Sequence, residues 1–101
     1  MRVLMKVTMP HGKFNEAARD GTVEAKMKRI LGELKPEAAY FTEFDGRRTG
    51  LLIVHLAEAS EIPALAEPWF QQFEADVEFH PVMLPEDLER AGLQALGKRW
   101  G

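Results

Sequence analysis

Residues 2 to 9, "RVLMKVTM", put Val3, Met5, Val7 and Met9 on one side and Arg2, Leu4, Lys6 and Thr8 on the other, the two-residue period of a strand. Pro10, His11 and Gly12 interrupt that alternation. Phe14, Ala17, Ala18, Val23, Met27, Ile30, Leu31 and Leu34 then recur at intervals near three and four, which predicts a helix broken at Asp20-Gly21. Thr22 is placed to cap the restarted helix, and Lys35-Pro36 ends it, because the residue before proline avoids the helical region. Ala38 to Phe44 and Arg48 to Leu56 read as two strands joined at Asp45-Gly46, residues that tolerate positive φ. A two-residue loop pairs Phe44 with Arg47 and Glu43 with Arg48; a bulge at Arg47 pairs Glu43 with Thr49 and turns the strand over. Ile62, Leu65, Ala66, Trp69, Phe70 and Phe73 form a second apolar helical stripe. Pro63 near its start and Pro68 inside it predict a 3₁₀ first turn or a kink. Asp76 to Leu84 closes the pattern as a strand, with Pro81 favouring a sheet edge; a short helical start follows at Pro85.

Strand, helix, strand, strand, helix, strand is the order of the split βαβ or ferredoxin-like α+β arrangement, with two helices on one face of an antiparallel sheet of order 4-1-3-2. The whole chain, 1–101, is read as one such domain with a C-terminal tail from about residue 86. In "LLIVHL", Leu51 and Ile53 point one way while Leu52, Val54 and Leu56 point the other, so both faces of the third strand ask to be buried. Two helices cover only one face. The simplest cover for the other is the same face of a second copy, which predicts a homodimer. The rival arrangement is a monomer whose residues 86 to 100 roof the sheet.

Composition narrows the classes further. A net charge of −3 creates no positive field for nucleic acid, and no stretch is long and apolar enough for a membrane span, so neither partner is expected. No cysteine is present, which excludes disulfides, thiolate ligands and a cysteine nucleophile and fits a reducing cytoplasm. The opening residues lack the uninterrupted apolar run of a secretion signal.

The order of elements and the stretches "KPEAAYFTEFDGRR", "SEIPALAEPWF" and "PVMLPEDLERAGL" resemble a widespread family of uncharacterised bacterial proteins of about this length. That family is similar to the dimeric α/β-barrel superfamily, which includes muconolactone isomerase, cofactor-free polyketide monooxygenases and cyclases, and stress-responsive barrel proteins. The resemblance implies a two-sheet dimer, needs no cofactor and leaves the reaction open. Family members sometimes carry the label pantothenate synthetase, an enzyme class that is far longer and uses a His-x-Gly-His nucleotide motif. His11-Gly12 is the sole His-Gly pair here, so the label does not transfer.

Among residues able to carry chemistry, the histidines come first, because imidazole titrates near neutral pH. His11, His55 and His80 lack the spacing of a metal site, so no metal is expected. If the protein is an enzyme, His80 or His55 is the candidate base and Tyr40 the hydrogen-bond donor to a developing enolate. Cofactor-independent isomerisation, cyclisation or oxidation would follow. Tyr40, Glu43, Trp69 and Phe73 are candidates to line a pocket between sheet and helices, and Arg47 or Arg48 to orient a ligand carboxylate. The competing readings are core packing for Trp69 and Phe73 and a solvated hairpin tip for the arginines. The expected function is binding of a small apolar organic molecule, with a noncatalytic ligand-sensing or assembly module as the alternative.

Overall fold

The strict alternation of residues 2 to 9 makes them the centre of a sheet, and the neighbours follow from two tight connections. The computed structural model describes residues 1–101. Its elements are β1 (Arg2–Met9), α1 (His11–Asp20), α2 (Val23–Leu34), β2 (Ala38–Phe44), β3 (Arg47–His55), α3 (Ile62–Phe73), β4 (Asp76–Pro81), α4 (Pro85–Arg90) and α5 (Leu93–Trp100). All strand pairs are antiparallel, in the order β2-β3-β1-β4, the ferredoxin-like arrangement. The two most apolar strands take the centre; Pro81, which has no N–H to give a ladder, sits on an edge.

The hairpin closes through the two-residue loop. Asp45 and Gly46 have φ of 53° and 77°, and Phe44 faces Arg47 while Glu43 faces Arg48. Two successive left-handed residues match the twist of the strands they join. Glu43 accepts a hydrogen bond at 2.9 Å from the Gly46 N–H and braces the turn. This register sends Arg48, Gly50, Leu52 and Val54 to the side of Val3, Met5, Val7 and Met9, and Leu51, Ile53 and His55 to the side of Leu4, Lys6 and Arg2.

The helices cover the first side. Val3, Met5, Val7, Met9, Leu52, Val54, Ala17, Ile30, Trp69 and Phe73 are all buried there. The second side carries no element of this chain, and the half-buried Leu4, Leu51 and Ile53 lie on it beside exposed Tyr40 and Phe44. Lys6 lies over the Phe44 ring at 4.5 Å and shields part of it.

Three local expectations change, and a fourth is met. Thr22 does not cap α2 with its oxygen: its hydroxyl and N–H both donate to Asp20 Oδ1, at 2.6 and 2.9 Å, while Gly21 at φ 81° ends α1. The last strand stops at Pro81, short of Leu84, because after one more bond from the Val82 N–H to the Arg2 carbonyl the chain leaves the ladder. Phe70 turns outward from the α3 stripe and is exposed. The 3₁₀ turn is real but lies before the helix, at Ala59–Glu61, held by Glu61 accepting from the Ala57 and Glu58 N–H groups; Pro68 sits within a continuous α3.

From Met83 to Gly101 every residue but Asp87 is exposed. The segment therefore does not roof the sheet. It extends the molecule to 59 Å, and the radius of gyration of 17.0 Å exceeds the about 13 Å of a compact chain of this length.

Candidate functional site

Met9 ends β1, and Arg48 pairs with it across the ladder, so the hairpin end of the sheet presents a thioether and a guanidinium toward the helices. Phe14 of α1 and Met27 of α2 come down on that end, while β2, an edge strand that the helices leave open, contributes Phe41. Between them is a cleft of about 390 Å³ lined by these five side chains and by strand positions Thr42 and Thr49. Its size is that of ordinary small-molecule sites, which are mostly apolar with a few placed polar groups.

Arg48 is the only ionisable residue in that lining. Its guanidinium lies over the Phe14 ring at 4.3 Å and donates to Asn15 Oδ1 at 2.9 Å. Stacking and one hydrogen bond pre-orient a planar fork whose other N–H groups remain to grip an anion. Phe14 in turn stacks on Phe73, with ring centroids 5.5 Å apart, which ties the cleft wall to the core.

The residues singled out from sequence do not meet in one place. Tyr40 and Glu43 are three apart on a strand and so face opposite sides: Tyr40 is 68% exposed on the open face, and Glu43 serves the hairpin turn. Trp69 and Phe73 are fully buried and pack on each other in the core rather than line a space. The Trp69 indole N–H has no hydrogen-bond partner in the protein. Arg47 points to the open face, so Arg48 is the arginine of the cleft.

Both candidate bases also lie on the open face, at the end of the sheet away from the hairpin. His55 pairs with Arg2 and His80 with Leu4, on either side of β1 and thus about 12 Å apart, two strand spacings across and two residues along. Each imidazole has its own carboxylate: His55 Nε2 is 2.9 Å from Glu37 Oε1, and His80 Nε2 is 3.0 Å from Glu78 Oε1. Glu37 also accepts from Arg2 Nε at 2.9 Å, and the bonds from His55 and then Arg2 hold its carboxyl below the usual range. No three His, Asp or Glu side chains converge as a metal site requires. His11, the first residue of α1, is exposed. No helix is long and apolar enough to cross a membrane.

Met9, Phe14, Met27 and Phe41 were legible as apolar positions but not as pocket walls. The helices leave the flank of the edge strand β2 open there, and Phe41 on it is half exposed. The fold and cleft define a ferredoxin-like α+β domain with an apolar cleft, edged by one guanidinium, at the open flank of its helical layer. No protein-family model matches the chain, and no curated protein matches it in sequence.

Proposed function

We propose that this protein is a homodimer, formed through the open faces of two sheets, in which each protomer's cleft holds a small, mostly apolar organic anion. The cleft carries the reading: four large apolar side chains match a hydrocarbon or aromatic body, and Arg48 at their edge matches one carboxylate or enolate oxygen. The dimer is supported by the half-buried Leu4, Leu51 and Ile53 with Tyr40 and Phe44 on a face that no part of the chain covers, and by the resemblance to dimeric barrels.

The noncatalytic form of the reading, a ligand sensor or assembly module, is favoured by one observation: no residue lining the cleft is a general base. Proton-transfer chemistry using His80 or His55 with Tyr40 would take place on the open face instead, where the two imidazole–carboxylate pairs stand. Cofactor-independent isomerisation, cyclisation or oxidation belongs to that second form.

Titration with 1-naphthoate, an aromatic carboxylate, tests the binding site directly. Saturable binding at one molecule per chain is expected, weakened about tenfold by Arg48→Gln through loss of a charge-assisted contact. Binding that does not saturate, or that the substitution leaves unchanged, contradicts the assignment.

A further inference from the structure

We infer that the C-terminal arm, α4 and α5, is a clasp between two copies of this chain, packing against the arm of the second copy. The inference rests on the dimer reading above and goes beyond it by assigning the arm a place in the assembly.

The arm touches its own body too little to be folded by it. No residue of α4 or α5 is buried, and Leu88, Leu93, Leu96 and Trp100 are all exposed. Leu93, Leu96 and Trp100 recur at three and four residues, so they share one face of α5. Helices this short are marginal in isolation, and tertiary packing of an apolar face ordinarily stabilises them. This chain supplies no such packing, so another chain must.

Area points to a second copy of the same chain. The open sheet face comprises four strands of six to nine residues. At about 4.8 Å between strands and 3.3 Å per residue it projects about 500 Å². A stable dimer ordinarily buries about 800 Å² of accessible surface per partner, which leaves room for more than the sheet face in the contact. An arm projecting from the end of β4, with its large apolar side chains uncovered, adds such surface.

Charge sets the arrangement. The first half of the arm holds Glu86, Asp87 and Glu89 against a single Arg90; the second half holds Lys98 and Arg99 and no acid. A twofold axis makes equivalent contacts reciprocal, and two arms crossing antiparallel about it set each acidic half beside the other's basic half. Parallel arms would set like charges together.

The two tryptophans make this testable in the full chain, because Trp69 is 0% exposed and Trp100 is 77% exposed in the single chain. Acrylamide quenching across a dilution series, run beside light scattering, reads Trp100 by difference from a Trp100→Phe variant. The expected result is a dimer in which Trp100 is shielded at high concentration and becomes quenchable as the dimer dissociates. A variant carrying Leu93→Gln and Leu96→Gln should raise the dissociation constant about tenfold or more, with Trp69 emission unchanged. Lys98→Glu with Arg99→Glu should weaken the dimer in the same direction. A dimer whose Trp100 stays quenchable and whose stability ignores both variants overturns the clasp and leaves the sheet dimer standing. Trp100 shielded in a monomer overturns the clasp by placing the arm on its own body. A monomer with Trp100 quenchable at every concentration overturns both.

Discussion

Trp69 occupies the centre of the core with its indole N–H unmatched, so the residue contributes apolar area and volume while carrying an uncompensated donor. A buried donor without a partner costs about 1–3 kcal/mol. Trp69→Phe removes that cost along with part of the packing, and the two nearly offset: a loss of about 1 kcal/mol is expected, against about 3–5 kcal/mol for Trp69→Ala. Urea titrations of the two variants check the ordering. At the open end of the sheet, Glu37 is held below its ordinary value of 4.5 by His55 and Arg2. The unfolded chain therefore binds more protons than the folded one just below that value. Glu37's share of stability is complete above pH about 4.5 and is lost as pH falls through its depressed value. Glu37→Gln should flatten the acid limb of the urea midpoint plotted against pH; an unchanged slope contradicts the assignment. The pairing partner Glu37 was invisible in the sequence, because it lies between a helix end and a strand where no periodicity applies.

The elements themselves were largely legible, for a reason visible in β1 and the hairpin. Alternation with a period of two leaves one face for the core, and Asp45-Gly46 is a turn whose backbone only a few residues accept. Gly46 at φ 77° makes that dependence testable: Gly46→Ala should cost about 1 kcal/mol by forcing a Cβ into the left-handed region, read as a lower urea midpoint. The side on which a strand residue lands was less legible. Glu43, Arg47 and Arg48 depended on a one-residue choice of register, and the choice put Arg48, not Arg47, into the cleft. Tyr40 and Glu43 could not share a pocket once they lay on one regular strand. Of the two readings of Trp69 and Phe73, core packing is the one the structure shows; helical spacing says which residues face the sheet but not whether space remains between them. The α3 stripe erred only at Phe70, at the margin of the buried face.

Across the whole molecule, the single chain has two kinds of uncovered apolar surface, a sheet face and an arm. The residues of "LLIVHL" foretold the first, since Leu51 and Ile53 are as apolar as the buried Leu52 and Val54 yet lie on the side without helices. The arm's course was not legible, because a short amphipathic segment reads the same whether it folds back or projects. Its projection removes the self-roofed monomer as an explanation of the sheet, and the proposed cover is a second copy. Exposed apolar patches larger than a few hundred Å² often mark interaction sites. Sedimentation equilibrium of the intact chain at micromolar and higher concentration is the most direct test of that claim. The account predicts a mass near twice 11.4 kDa. A mass of one chain that persists to the highest concentration would contradict it.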